Sequence, residues 1–217
     1  MVIRMNSSHL TGSQPSSNSS RRLFQNPFLE SLSHVHPSVP FIIWIPVVFY
    51  CVLQAFQSDL SLTAILGYST LGLIFWTLTE YVMHRFVFHF SATTQAGKYL
   101  VFLFHGIHHD EPQDSTRLVM PPVVSITLAT AFFFLFRAVL GTEVTWPFFA
   151  TFMAGYLVYD FIHFSVHHFK PKTAWGHRLK DNHMRHHFVD HDAKWGVSSP
   201  LWDYIFGSFQ QPPAKKH

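Results

Sequence analysis

The sequence predicts an all-α integral membrane protein in which four transmembrane helices are capped by a helical, histidine-rich domain. Three observations carry that expectation. Charged residues make up only 12% of the 217-residue chain, against roughly 25% in soluble proteins. The apolar residues gather into four runs whose lengths approach the thickness of a bilayer's hydrocarbon core. Of 17 histidines, eleven fall in four tight clusters between His84 and His187.

Residues 1–38 are rich in Ser, Asn, Gln and Pro and hold no apolar run long enough for a secretory signal, so they read as a disordered cytosolic tail. The first span is expected at 39–57 and contains Pro46, which membrane helices tolerate better than soluble ones. The second, at 62–78, follows the polar break Ser58-Asp59; the third, at 123–140, follows Pro121-Pro122; the fourth, at 144–161, follows Gly141-Thr142-Glu143. The short breaks join the spans into two hairpins. A soluble bundle would need polar outer faces on these helices, and the sequences show none. Stretches 79–122 and 162–211 form the cap, so that 39–211 makes one membrane domain, with 212–217 as a C-terminal tail.

Lys and Arg favour the cytoplasmic side of a membrane. With two hairpins, the N-terminus, the stretch 79–122 and everything after 162 share one side, and all of the 15 Lys and Arg residues except Arg137 lie there. Arg137 is one turn from the end of the third span and can snorkel to the far interface, toward Glu143. The expected topology is multi-pass with both termini, and every clustered histidine, cytosolic. The net charge of +3 does not indicate nucleic acid, because the basic residues form no dense block and no nucleic-acid motif accompanies them. Cys51 has no partner in the chain, which excludes an internal disulfide and a thiolate metal site.

The first cluster is His84-Arg85-Phe86-Val87-Phe88-His89. If an α-helix continues through it, residues five apart point about 140° away from each other, so these two histidines serve different metals or flank a shared one. The second, His105-Gly106-Ile107-His108-His109, places three imidazoles on one helical face by offsets of three and four. In the third, His163 and His167 share a face and His168 turns away. The fourth, His183-Met184-Arg185-His186-His187, repeats the spacing of the second. Imidazoles so spaced can close on one ion at about 2 Å. One such cluster is weak evidence, since it can be an interfacial polar patch; four on one side of one membrane are not. Ten imidazoles exceed the ordinary coordination number of one metal, so two metals are expected, held by His84, His89, His105, His108, His109, His163, His167, His183, His186 and His187. His168 is read as interfacial or as supporting a ligand. His9, His34, His36, His177, His191 and His217 lie outside ligand spacing.

At these residues the chain resembles the fatty acid hydroxylase superfamily and, within it, the fatty acid 2-hydroxylases that act on sphingolipid acyl chains. The resemblance covers about residues 40–210. It rests on Glu80-Tyr81 ahead of His84-Arg85, on His105-Gly106-x-His108-His109, and on Pro112-x-Asp114-x-x-Arg117-Leu118-Val119-x-Pro121-Pro122. Gly155-Tyr156, Tyr159-Asp160-x-x-His163, His183-x-x-His186-His187-Phe188, Trp195-Gly196-Val197-Ser198-Ser199, Trp202-Asp203 and Phe206-Gly207 continue it. The wider sterol oxidase and carotenoid hydroxylase relatives share chiefly the histidines. Two departures stand out. Some members carry a fused cytochrome b5 domain, but here His36-Pro37 is followed by Ser38-Val39 rather than glycines, and the tail is too short for a haem fold. Asn182 also stands where an aromatic residue is expected.

The resemblance implies a non-haem di-iron monooxygenase of the endoplasmic reticulum membrane. It would use O2, and electrons from a separate cytochrome b5 and its NAD(P)H-dependent reductase, to hydroxylate carbon 2 of a fatty acyl chain such as the N-acyl chain of ceramide. Such chemistry needs an oxidant that side chains cannot supply and redox-active metals can. Zinc can displace ferrous iron from a nitrogen-rich site, so preparations can contain zinc. Ligating imidazoles usually give their other N–H to a carboxylate or carbonyl, and Glu80, Asp114, Asp160, Asn182 and Asp203 are placed to receive it, with capping or surface solvation as the plainer roles. Tyr156 and Tyr159 are candidates for substrate contact, or for an interfacial aromatic belt. Phe86, Phe88, Phe161, Phe164, Trp195 and Trp202 are candidates for a channel lining, although ordinary packing is the plainer role for any one of them. Ala214-Lys215-Lys216-His217 resembles a dilysine retrieval signal out of register by one position. The alternatives are a sterol or carotenoid oxidase and a histidine-rich metal transporter; transport would favour polar ligands near the bilayer midplane.

Overall fold

The computed structural model describes residues 21–210. No strand occurs among them, and the elements are α1 (Pro27–Leu32), α2 (Val39–Gln57), α3 (Leu62–Val82), α4 (Gln95–Val101), α5 (Ile107–Asp110), α6 (Pro122–Leu140), α7 (Thr142–His168), α8 (Ala174–Phe188) and α9 (Leu201–Ile205). Two π-helical turns interrupt this order, Met83–Phe88 directly after α3 and Phe102–Gly106 directly after α4.

Four helices are long and apolar enough to cross a membrane: α2, α3 with its π turn, α6 and α7. Large apolar side chains such as Ile42, Phe49, Leu66, Phe134 and Val139 stand on their outer surfaces, each at least 60% exposed. Faces of that kind suit lipid and would be a liability in water. Ser61 caps α3 by accepting from the Ala64 amide, and Gly141, at φ 82°, makes the turn from α6 into α7. The second and fourth spans differ from the sequence expectation at their ends. α3 runs on to Val82 and its π turn instead of stopping at 78, and α7 starts at Thr142 and reaches His168 instead of 161. The extra turns carry histidines past the apolar segments on continuous backbone.

Helix α7 is the central element and packs against α2, α3 and α6. Its apolar stretch is 56% buried, against 17–22% for the other three spans. Close approach to α3 depends on Gly72, where a Cβ would lie 2.1 Å from the Phe148 carbonyl oxygen. Small residues let membrane helices meet backbone to backbone in this way. Beside it, the Thr151 hydroxyl donates to the Ser69 carbonyl across the interface at 2.6 Å. An aromatic core of Phe132, Phe136, Phe148, Phe149 and Phe152 fills the space between α6 and α7.

Of the segment expected to be a disordered tail, residues 1–20 lie outside the described residues, while 21–38 contain α1. Asn26 caps this helix, accepting from the Phe28 and Leu29 amides, and the Val35 amide donates to the Thr116 carbonyl at 2.8 Å. The predicted tail 212–217 also lies outside the described residues.

Candidate metal centre

The ten histidines expected as ligands come together in two groups of five, His84, His89, His105, His109 and His186 in one and His108, His163, His167, His183 and His187 in the other. Within each group the donor nitrogens lie within 4.8 Å of one another. The two groups abut where the rings of His109 and His187 stack at 4.2 Å. His168 belongs to neither; its ring lies against Phe164.

Local backbone explains the partition, which differs in two respects from α-helical spacing. In the π turn after α3 the His89 amide donates to the His84 carbonyl at 3.2 Å. A π-helix pairs residues five apart, so His84 and His89 face the same group rather than diverging. The three imidazoles of each His-x-x-His-His run are also not held together. The i,i+4 pairs His105/His109 and His183/His187 each stay within one group, while His108 and His186 cross to the other. His163 and His167 share a group as expected. Each run therefore contributes to both halves and ties them together.

The donor set fits metal ions by two observations. Within the groups, Nε2 atoms approach in pairs: His84 and His105 at 3.1 Å, His109 and His105 at 3.1 Å, His186 and His89 at 3.2 Å, His163 and His108 at 2.9 Å, and His167 and His183 at 2.8 Å. Nitrogens bound about 2 Å from a common ion stand about 3 Å apart. The second observation concerns protons. His84 Nδ1 donates to the Trp195 carbonyl at 2.5 Å, and His186 Nδ1 to the Ala193 carbonyl at 2.8 Å. A carbonyl only accepts, so the proton sits on Nδ1 and each Nε2 presents a bare lone pair to its group.

Burial keeps these rings neutral. Desolvation, followed by the charges of neighbouring imidazoles, lowers His105, His108 and His183 well below the ordinary histidine value of 6.5. The same causes push His89 down to about 4, and burial pushes His186 to about 4. Neutral imidazole is the form that ligates metal.

The expected carboxylate partners act one link further back. Among the described residues no hydrogen bond joins Glu80, Asp160, Asn182 or Asp203 to a ligand histidine; the carbonyls of Ala193 and Trp195 take that place for His186 and His84. Glu80 and Asp203, both buried, hold the loop that carries those carbonyls. Asp203 accepts from the Trp195 and Gly196 amides at 3.0 and 2.8 Å. Glu80 accepts from the Val197 and Ser198 amides at 2.7 and 2.8 Å and from the Ser198 hydroxyl. Gly196 is required here, because a Cβ would meet the Ser199 carbonyl oxygen at 2.0 Å. Asp114 instead accepts from Thr116 and faces Arg117, while Asp160 is buried on α7.

An apolar cavity of about 950 Å³, counting its open mouth, runs from Leu128 and Phe132 of α6 and Phe152 of α7 to His105, His108 and His163. Tyr156 and Tyr159, expected at the substrate, line it, as do Glu80 and Asp160. Of the six aromatic residues considered for a channel, Phe88 alone does so. Phe86 and Phe161 are exposed, Trp195 packs on the rings of His84, His89 and His186, and Trp202 donates to Thr77. Sequence reasoning missed the Ala193 and Trp195 carbonyls, since backbone atoms carry no residue signal. Neither Arg117 nor His34, which bonds Thr116 at 2.6 Å, carries a spacing signal that would reveal its place beside the cavity wall.

Comparison with known proteins agrees with this geometry. The chain is 36% identical over 196 residues to a dihydroceramide fatty acyl 2-hydroxylase of Arabidopsis thaliana, covering 90% of this chain and 82% of that protein. It is 37% identical over 209 residues to the fatty acid 2-hydroxylase of Mus musculus, covering 85% of this chain but only 55% of the mouse protein. A solved structure described as full length scs7p, with only the hydroxylase domain visible, superposes with a TM-score of 0.82 at 37% identity, over 88% of this chain and 73% of that one. The fatty acid hydroxylase family model matches residues 69–208, which take in all eleven clustered histidines, and the chain belongs to that family.

Proposed function

We propose that this protein is a dimetal monooxygenase that places a hydroxyl at carbon 2 of a fatty acyl chain, the N-acyl chain of a ceramide-type sphingolipid. The observation that carries the reading is the cavity between membrane-spanning helices that ends on histidines of both groups, His105 from one and His108 and His163 from the other. The names of the plant and mouse relatives point to the same reaction. The metal-holding residues would be His84, His89, His105, His109 and His186 for one ion and His108, His163, His167, His183 and His187 for the other. Iron is the expected working metal, with zinc able to occupy the nitrogen sites in preparations. The metal pair, supplied with O2 and two electrons from cytochrome b5 and its NAD(P)H-dependent reductase, provides the oxidising power that a C–H bond demands.

The chain's own residues do the rest. Phe132, Phe152 and Leu128 enclose the acyl chain and keep water from it. Leaving a long chain in lipid avoids about 0.8 kcal/mol per methylene that transfer to water would cost. Tyr156 and Tyr159 flank the chain near the histidines, where the first carbons beside the head group come to rest. The Trp195 and Ala193 carbonyls hold the protons of His84 and His186 on Nδ1, fixing the rings for ligation. The hydroxylase unit spans 39–211, in the endoplasmic reticulum membrane with both termini cytosolic.

The test is purification in detergent or nanodiscs, loading with iron, supply of the electron donor, and mass spectrometry of the lipid. A 2-hydroxylated ceramide or acyl product that requires O2 is expected. Absence of that product, with metal present at two per chain, overturns the reading.

A further inference from the structure

One wall of the cavity carries a buried cation that the histidine centre does not use. Arg117 lines the cavity beside Leu118 and Val119, and its side chain is 1% exposed. Its Nη2 donates to Glu30 Oε1 at 2.9 Å and approaches His34 Nε2 at 3.1 Å, while Nε faces Asp114 Oδ2 at 3.4 Å. Nη1 is buried and has no partner among the described residues. A guanidinium carries five N–H donors, and buried donors left unsatisfied cost free energy, so a ligand oxygen at Nη1 would be favoured.

The surrounding charge says which oxygen. Glu30 belongs to α1 and Asp114 to the loop before Arg117, and each forms an ion pair with the guanidinium. Two carboxylates lie against this one guanidinium and compensate its charge. A ligand carboxylate at Nη1 would be repelled by Glu30 and Asp114, which are only partly exposed to water. A carbonyl or hydroxyl oxygen would accept the same hydrogen bond without that repulsion.

We propose that Arg117 is a specificity-determining residue. It reads a neutral oxygen of the lipid head, the amide carbonyl or a hydroxyl of an N-acyl lipid, and the Glu30 and Asp114 carboxylates that compensate it reject the ionised head of a free fatty acid. The proposal rests on the cavity being the acyl-lipid site of the reading above, but not on the reaction. It also gives α1, at the edge of the expected tail, a part in selecting substrate.

The test measures binding rather than turnover, so that a failure of the chemistry and a failure of this proposal are told apart. Metal-loaded full-length protein in nanodiscs is titrated at pH 8 with a fluorescent ceramide and, separately, with a fluorescent fatty acid of equal chain length. Wild type is expected to prefer the ceramide by about tenfold or more. Glu30→Gln, which keeps the side-chain shape and one acceptor oxygen for the Leu23 and Phe24 amides but removes the charge and one acceptor, is expected to shrink that preference about tenfold by tightening binding of the acid. Arg117→Gln is expected to weaken the ceramide at least fivefold. If Arg117→Gln does not fold, Glu30→Gln decides alone. A wild-type protein that binds both ligands equally, or a preference unchanged in Glu30→Gln, overturns the proposal, whether or not the protein makes a hydroxylated product.

Discussion

The two histidine groups hold the same kind and number of donors but are built differently. In the first, His89 and His109 are part-exposed, and two rings are aimed from behind by carbonyls of the 193–195 loop. In the second, all five residues are buried, and the Nδ1 atoms of His108, His167, His183 and His187 have no hydrogen-bond partner among the described residues. The first group is thus oriented by a hydrogen-bonded backbone loop that Glu80 and Asp203 fix in place. The second is oriented by packing among α5, α7 and α8, its rings held edge to face with centroids 4.6–4.8 Å apart for His108/His163, His163/His183, His167/His183 and His183/His187. The difference teaches that two histidine groups of equal size can be oriented by different means, one by a hydrogen-bonded loop and the other by packing.

The largest expected effect comes from breaking the packed side. His183→Ala removes a ring that is 1% exposed and approaches both His167 and His187 through Nε2. Metal content by mass spectrometry is expected to fall from two ions per chain to one, with product formation lost; a variant that keeps two ions would show that the groups are not separate positions.

A smaller effect is expected from Asp203→Asn, which loosens the loop without touching a ligand. Losing an outer partner of a metal site typically costs about 10–100-fold in affinity. Chelator titration should show that loss at one of two ions, leaving the other unchanged; equal weakening of both would erase the contrast between a loop-held and a packing-held half.

The mildest test is acidification. Burial lowers His89 and His186 to about 4 in the folded protein, below the ordinary 6.5. The unfolded chain therefore takes up protons first, so the stability present above about 6.5 is lost as pH falls toward 4. Thermal melts of metal-free protein between pH 7.5 and 5 should show a falling Tm, and the metal-loaded protein, whose ligand rings take up no protons while an ion is bound, a fall at least as steep. A Tm independent of pH in the metal-free protein would mean that these rings are not held neutral.

Much of this was legible from residue types. Apolar runs and the short breaks at Ser58-Asp59 and Gly141-Thr142-Glu143 place the two hairpins, and histidine spacing names all ten members of the centre. What escaped was backbone. The divergence expected of His84 and His89 assumes α-helical geometry, and nothing in Met83–Phe88 announces a π turn. For the same reason the crossing of His108 and His186 was invisible, since spacing says which rings share a face but not which neighbour each one meets. The six residues of α1 sit in a Ser- and Pro-rich region whose composition hides the ion pair of Glu30 with Arg117.

The order of donors along the chain has a consequence for assembly. His183, His186 and His187 lie on α8, beyond α2, α3, α6 and α7, and each group needs at least one of them. A ribosome therefore delivers all four membrane-crossing rods before either cradle is complete, so a metal ion could meet a full set of rings only at the last stage of biogenesis. Stripping the ions from the mature protein should accordingly unravel the crown of the molecule while its stem stays anchored.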